Sequence, residues 1–86
     1  MASYKIEWKR SATKELKKLP PNIVKRFIAA ADSLAENPFP SDSKKLIGSH
    51  HTYRIREGSY RLIYNVLTDA ILIEIIKVGH RKDVYR

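Results

Sequence analysis

The chain contains no cysteine, three glycines and no long run of apolar residues. The absence of cysteine excludes disulfide bonds, and nothing in the sequence indicates secretion. No stretch approaches the ~20 apolar residues that a membrane-spanning helix needs. Residues 1–5 also lack the apolar core of a signal peptide. We therefore expect a cytoplasmic protein without a membrane partner.

Recognised cofactor and metal motifs are also missing. The sequence has no Walker loop, no GxGxxG and no nucleophile elbow, and Gly58 and Gly79 stand alone. Adjacent histidines on a strand, such as His50 and His51, point to opposite faces, and no Asp/Glu pairing completes a metal site. We expect neither a cofactor nor a metal. His80 precedes an arginine and is a candidate for proton transfer.

Basic residues dominate what the sequence does contain. The 86 residues include 17 Lys and Arg against 9 Asp and Glu, for a formal net charge of +8. This length predicts a single domain, residues 1–86, with one modest core. The charge is typical of nucleic-acid binders, although a soluble basic protein or a binder of an acidic protein would also carry it. Because both halves are basic, the charge does not belong to a disordered tail.

Hydrophobic periodicity predicts a strand and two helices in the first half of the chain. Residues 4–8 alternate between apolar and polar, as a strand does, and Ser11 then offers an oxygen to cap a helix. Pro20 and Pro21 end that helix, and a broad apolar stripe predicts a second helix over 21–36. We expect these helices to form a hairpin that lies on a sheet.

The second half has the patterns of strands. Prolines and short polar residues predict a loop over 37–43, and residues 44–47 fit a short edge strand. Two hairpin strands are predicted over 51–57 and 60–67. The nearly continuous β-branched run 70–78 predicts a central strand buried on both faces. The order β-α-α-β-β-β predicts an α+β fold, in which an N-terminal strand and a helical hairpin pack on a small antiparallel sheet.

The predicted hairpin carries three arginines on one face. Gly58-Ser59 fits a two-residue type II′ loop, which places Arg56 opposite Arg61. Opposed residues and alternate residues share a face, so Arg54 joins them, with no adjacent carboxylate. Like charges directly opposite each other destabilise a sheet, and we therefore expect the cluster to bind an anion. The alternative is a solvated polar face, which many antiparallel sheets have.

The chemistry of arginine favours a phosphate as that anion. Guanidinium groups bind phosphate through paired hydrogen bonds and stay charged at any working pH. Arg81 follows Gly79 at the end of the last strand and is expected to lean over the same face. Four arginines would hold a scissile phosphate and stabilise charge that develops on it. Tyr85 is either a packing or exposed residue, or a group that stacks on a base or moves a proton.

These residues resemble the RelE branch of the RelE/ParE toxin superfamily. The resemblance extends over essentially the whole chain and is carried by the strings Tyr53-Arg54-Ile55-Arg56, Gly58-Ser59-Tyr60-Arg61-Leu62-Ile63-Tyr64 and Val78-Gly79-His80-Arg81-Lys82-Asp83-Val84-Tyr85. It implies a small α+β toxin that cuts messenger RNA in the ribosomal A site. It also implies metal-independent attack by the ribose 2′-hydroxyl on its own 3′-phosphate, and a RelB-like antitoxin that neutralises the toxin.

The resemblance also implies a role for each residue. By position, Arg61 would hold the phosphate, Arg81 would stabilise or protonate the leaving oxygen, and Tyr85 would stack on a base and help to orient the nucleophile. Arg54 and Arg56 stand where well-known members carry lysines. Because arginine effectively cannot lose its proton, Arg54 would act by electrostatics.

The general base is Tyr85, His80 or a ribosomal group. Contacts to RNA or ribosome are expected from other polar and basic residues: Lys14, Lys17, Lys18, Lys25, Arg26, Lys44, Lys45, His80 and Lys82.

One alternative function is that of the ParE branch, which inhibits DNA gyrase and generally lacks the full arginine set and the terminal tyrosine. The other is a non-catalytic module that binds RNA or the ribosome.

Overall fold

The computed structural model describes residues 3–84 and has the predicted α+β fold. Two helices lie on one face of a five-stranded sheet, and the order of elements agrees with the prediction. None of the helices in this range is long and apolar enough to cross a membrane. The elements are β1 Lys5–Trp8, α1 Arg10–Leu16, α2 Pro21–Ser33, β2 Lys44–Lys45, β3 Thr52–Glu57, β4 Tyr60–Leu67, β5 Leu72–His80 and α3 Arg81–Val84.

The sheet is mixed, with the strand order β1-β5-β4-β3-β2. Strands β2 to β5 form an antiparallel meander, as predicted, and β1 joins it parallel to β5. The pairing of β1 starts opposite Leu72 and stops opposite Ile75. The outer edge of β5 beyond Ile75 is therefore not covered by this strand.

Two local predictions about the first half and the last strand are wrong. Ser11 is not the helix cap, because α1 already begins at Arg10 with Lys9 as its N-cap, and the cap makes no side-chain hydrogen bond. The N–H of Lys9 donates to the carbonyl of Ile75 at 2.9 Å, so the chain enters the helix directly from the sheet edge. The run 70–78 does form an interior strand, β5, between β1 and β4, but burial along it is partial, so the prediction that it is buried on both faces is wrong.

β5 also differs from the predicted strand in its start and in its regularity. It begins at Leu72, and Ile71 lies in the preceding turn with φ of 51°, a conformation uncommon for a β-branched residue. Pairing with β4 skips Ile76, which is the extra residue of a β-bulge. The bulge shifts the alternation, so that Val78 returns to the core and Gly79 faces away from the helices.

The core lies between the helices and one face of β3, β4 and β5. Phe27 of α2 and Tyr64 of β4 are among its fully buried side chains. The hydroxyl of Tyr64 donates to the carbonyl of Pro38 at 2.9 Å, which ties the loop after α2 to the central strand. Burial raises the pKa of Tyr64 to about 12. Deprotonation of this phenol at high pH is therefore expected to destabilise the folded state.

Replacing Tyr64 with phenylalanine should separate this protonation effect from packing. At neutral pH we expect Tyr64→Phe to cost about 1 kcal/mol, because the partly buried carbonyl of Pro38 loses its donor. Because its pKa is raised, protonated Tyr64 stabilises the folded wild-type protein fully below about pH 10. This stabilisation is lost as the pH rises through about 12. The full loss for a shift from 10.0 to about 12 amounts to roughly 3 kcal/mol.

The difference between the two proteins should therefore shrink and reverse between pH 10 and 12. Urea denaturation of wild type and Tyr64→Phe at pH 8, 10 and 11.5 measures it, and the titration of surface lysines cancels in the comparison. A difference that stays constant over this range would show that Tyr64 titrates normally in the folded protein.

Candidate functional site

The strand register places the three hairpin arginines on one face. Arg56 pairs with Arg61, and Arg54 pairs with Ile63 on the neighbouring strand. Gly58 has φ of 60° in the two-residue loop, as a type II′ turn requires at its first position. The alternate residues of both strands belong to the core that the helices cover. The arginines therefore lie on the opposite face, called the arginine face below.

Arg61 is the unusual member of this cluster because it is buried. Only 6% of the residue is exposed. Its Nη1 donates to the carbonyls of Gly58 and Tyr60, each at 3.3 Å, and its Nε has no hydrogen-bond partner within residues 3–84. Among the described residues, none of the ion pairs involves Arg61. A buried cation without a counter-ion is costly, and an anionic ligand would offset that cost.

Arg81 lies beside the hairpin loop that precedes Arg61. It is exposed at the start of α3, and its N–H donates to the carbonyl of Ser59 at 2.8 Å. Gly79 lies directly opposite Arg61 and presents no side chain there. The structure thus brings the end of β5 to the same end of the sheet as Arg61. Tyr85 lies outside the described residues.

Basic residues extend the arginine face toward the β2 edge. Arg54 is half-buried, Arg56 is exposed, and Lys44 pairs with Arg54 from β2. A cleft of about 530 Å³ opens there. Its lining combines cations with apolar side chains: Lys44, Lys45, Leu46, Ile47 and Arg54. Such a lining suits a ligand that has both charged and apolar parts.

His80 is not on the arginine face. It pairs with Tyr60, a residue that packs against the core, and the two rings meet edge to face with centroids 5.5 Å apart. Its Nδ1 accepts the N–H of Lys82 at 3.2 Å. The ring therefore lies on the helix side of the sheet, whereas Arg61 lies on the other side.

The remaining basic residues form a separate surface. Those of α1, the turn after it and α2 are exposed on the helix side or at the sheet edge: Lys14, Lys17, Lys18, Lys25 and Arg26. Arg26 lies 3.9 Å from the carboxylate of Glu57. Lys82 is exposed next to Arg81. The structure does not bring the helix residues to the arginine face, so one short ligand does not contact both sets.

Sequence reasoning missed three charged residues on the arginine face. Lys77 pairs with Ile63 there, and its Nζ lies 3.1 Å from the carboxylate of Glu15. Glu74 accepts a hydrogen bond from Asn65 at 3.2 Å and lies beside Glu7 of β1. The carboxylates of Glu7 and Glu74 occupy the end of the sheet away from Arg61. Simple alternation along β5 assigns Glu74 and Lys77 to opposite faces. They share a face in the structure because the bulge lies between them.

The described part of the chain offers no clustered metal ligands. Within it, no group of three or more His, Asp or Glu side chains lies close enough to hold a metal ion. What the site does contain is fixed positive charge, buried at Arg61 and exposed at Arg56 and Arg81. This arrangement can bind a phosphate and stabilise added negative charge on it.

Comparison with known proteins identifies the family. The family of the ParE toxin of type II toxin–antitoxin systems (parDE) matches residues 6–85. The putative toxin RelE1 of Methanocaldococcus jannaschii is 37% identical over 86 residues, covering 96% of this chain and 96% of the relative. The mRNA interferase toxin RelE of Escherichia coli K12 is 28% identical over 82 residues, covering 93% of this chain and 85% of that protein.

A solved structure agrees with these relatives. The matching chain in the crystal structure of the archaeal RelE–RelB complex from Pyrococcus horikoshii OT3 superposes with a TM-score of 0.82. It is 32% identical, and the match covers 95% of this chain and 99% of that chain. The resemblance that the arginine strings predicted is thereby confirmed. This chain belongs to the ParE toxin family of type II toxin–antitoxin systems and is a toxin of its RelE branch.

Proposed function

We propose that this toxin is an endoribonuclease that cleaves messenger RNA in the ribosomal A site and so inhibits translation. The observation that carries the proposal is Arg61, a buried guanidinium whose Nε has no partner among the described residues, at the end of the sheet where Arg56 also lies. An RNA phosphate would supply the missing counter-ion. The name of the E. coli relative, an mRNA interferase toxin, supports this class of activity.

The proposed reaction is an intramolecular transfer at phosphorus. The ribose 2′-oxygen attacks the adjacent 3′-phosphorus, and the bond from phosphorus to the 5′-oxygen of the next nucleotide breaks. The 2′-hydroxyl gives up one proton and the leaving 5′-oxygen gains one, so the products are a 2′,3′-cyclic phosphate and a 5′-hydroxyl. The residues proposed here need no metal for these steps. The developing negative charge on phosphorus is what a fixed cation stabilises.

Each arginine has a proposed part in that reaction. Arg61 holds the non-bridging oxygens of the phosphate, and its burial strengthens the interaction because water competes less. Arg81, on the exposed start of α3, reaches the leaving oxygen. Arg54 and Arg56 add positive potential along the same face and do not exchange protons.

The general base is proposed to be Tyr85 or a group of the ribosome. His80 is poorly placed to be the base, since its ring packs against Tyr60 on the helix side and its Nδ1 already accepts a hydrogen bond. For His80 to act as the general base, its ring would have to leave Tyr60 and move to the arginine face. Tyr85 is proposed to stack on a base as well.

The exposed lysines of the helix side are proposed to contact ribosomal RNA. Lys17 and Lys18 follow α1 and project into solvent. Reversing both charges should weaken ribosome binding and reduce its salt dependence, because each lost phosphate contact removes about 0.7 from the logarithmic salt slope for single strands. Cleavage of ribosomes already saturated with toxin should keep its rate, since neither lysine lies on the arginine face.

A matched variant controls for the change in net charge. Lys5→Glu/Lys9→Glu alters charge equally at two exposed lysines outside the proposed contact surface, and it should leave the affinity for ribosomes close to wild type. Ribosome pelleting at several salt concentrations and single-turnover cleavage give the two readouts. If Lys17→Glu/Lys18→Glu slows cleavage at saturation, these lysines belong to the catalytic site instead.

A cognate antitoxin is the second proposed partner. The Pyrococcus neighbour was solved as a complex of RelE with RelB. The net charge of +8 suits an acidic or mixed-charge antitoxin whose extended segment or helix wraps the toxin. We propose that it is RelB-like and that it blocks the toxin from the ribosome.

Primer extension on messenger RNA translated in the presence of the purified toxin tests the proposal. We expect extension to stop at codons in the A site, where the downstream fragment begins with a 5′-hydroxyl. A DNA gyrase supercoiling assay with the same protein tests the ParE-like alternative, which the name of the matching family favours. Gyrase inhibition without RNA cleavage would establish that alternative, and ribosome binding without either activity would indicate a non-catalytic module.

A further inference from the structure

The end of β5 that leads to Arg81 is held from its outer edge by a side chain of α1. β1 covers this edge only as far as Ile75, where the N–H of Lys9 makes the last backbone bond. Three residues further along, the N–H of Val78 points outward and donates to Glu15 Oε1 at 3.2 Å. The carboxylate thus takes the place that a strand partner would occupy.

Glu15 makes a second contact to the same strand. Its Oε2 lies 3.1 Å from Nζ of Lys77, so one carboxylate bridges two successive residues of β5. A hydrogen bond from a backbone N–H to a carboxylate is stronger than one between neutral groups. α1 and β5 are therefore joined by a directional contact next to the residues that precede Arg81.

The inner side of the same segment is held by the hairpin loop. The N–H of Arg81 donates to the carbonyl of Ser59 at 2.8 Å, and Gly79 pairs with Arg61. Residues 78–81 are thus fixed between Glu15 on one side and the loop of the arginine hairpin on the other. The position of Arg81 relative to Arg61 depends on both attachments.

We propose that Glu15 is a positioning residue for the cleavage reaction, acting through Val78 to fix Gly79 and Arg81 against Arg61. The proposal rests on the function proposed above. It assigns no contact between Glu15 and RNA. Its physical basis is that a displacement of about 1 Å between catalytic groups can cost roughly 10²-fold in rate, even when the substituted residue lies away from the reacting atoms.

Two substitutions at Glu15 separate the effect of the hydrogen bond to Val78 from the effect of the negative charge. Glu15→Ala removes both contacts, and we expect a loss of about 10- to 100-fold in single-turnover cleavage on saturated ribosomes, with the half-saturating toxin concentration changed less than about 3-fold. Glu15→Gln keeps an oxygen that accepts the N–H of Val78 but removes the negative charge, and it should stay within about 3-fold of the wild-type rate.

Hydrogen exchange provides a readout that does not involve RNA. In the free toxin, the amide of Val78 should exchange about 10-fold faster or more in Glu15→Ala and near the wild-type rate in Glu15→Gln. Ile6→Ala, a stability control at the covered end of the β5 edge, should lower the melting temperature without changing either the cleavage rate or the relative protection of Val78.

The proposal is overturned if Glu15→Ala cleaves at the wild-type rate, if its defect appears only in the half-saturating concentration, or if Glu15→Gln is as slow as Glu15→Ala. The last result would assign the effect to the charge of Glu15. If the wild-type toxin shows no cleavage at all, the proposed function fails, while exchange at Val78 still reports whether Glu15 holds the strand.

Discussion

Replacing Arg61 with alanine is expected to lower the rate of A-site cleavage by roughly 10²–10³-fold, the usual effect of removing one preorganised group that stabilises developing charge. Arg61 is 6% exposed and held by two carbonyls of its own hairpin, so it needs no rearrangement before it meets a phosphate. Single-turnover cleavage on programmed ribosomes measures the effect. A folded Arg61→Ala protein that cleaves at the wild-type rate would refute the site.

The same position should show a conflict between activity and stability. Arg61→Met keeps most of the buried stem but removes a charge that has no counter-ion among the described residues. We expect this variant to be inactive and at least as stable as wild type, because the desolvation cost of the guanidinium disappears.

A control variant isolates the effect of burial. Lys9→Met removes one exposed charge at the outer edge of β5, with that strand between it and the hairpin, and should change neither cleavage nor stability appreciably. Thermal unfolding of the free proteins gives the stability comparison. If Arg61→Met is clearly less stable than wild type, the two carbonyl contacts outweigh desolvation, and the guanidinium has a structural role in the hairpin.

Cleavage is also expected to depend on the ribosome, with the same codon cut roughly 10³-fold faster in the A site than in free RNA. In-line attack requires the 2′-oxygen, phosphorus and leaving oxygen to be nearly collinear, and such positioning contributes several kcal/mol. The arginine face supplies charge, but its carboxylates, Glu7 and Glu74, lie at the end away from Arg61. The toxin alone is thus poorly equipped to align a flexible strand.

The measurement compares one messenger RNA, free and bound to ribosomes, in the same buffer at physiological salt. Arg61→Ala serves as the background for contaminating ribonuclease in both arms. Rapid cutting of the free RNA by the wild-type protein would contradict the ribosome-dependent mechanism and indicate a self-sufficient ribonuclease.

The sequence alone determined the hairpin and what its two faces carry. A two-residue loop that requires positive φ at its first position leaves one register, and alternation then assigns every side chain of Arg54–Arg61 to a face. These are local rules, which need no information from the rest of the chain. The helices were predicted for a similar reason, since proline stops and apolar stripes are local as well.

The tertiary structure decided everything that depends on residues far apart in the chain. The bulge at Ile76 places Gly79 opposite Arg61, and it lies directly after Ile75, where the pairing of β1 with β5 ends. The burial of Arg61 was likewise not predicted, because alternation reports the face that a side chain occupies and not how much of it is covered.

The contact between Glu15 and Val78 shows the same limit most clearly. The two residues are separated by 63 positions, and their contact arises only because β1 ends before β5 does. Periodicity along the chain reports which face a residue occupies. It does not report where a neighbouring strand stops, and that position determines which backbone groups a side chain must satisfy.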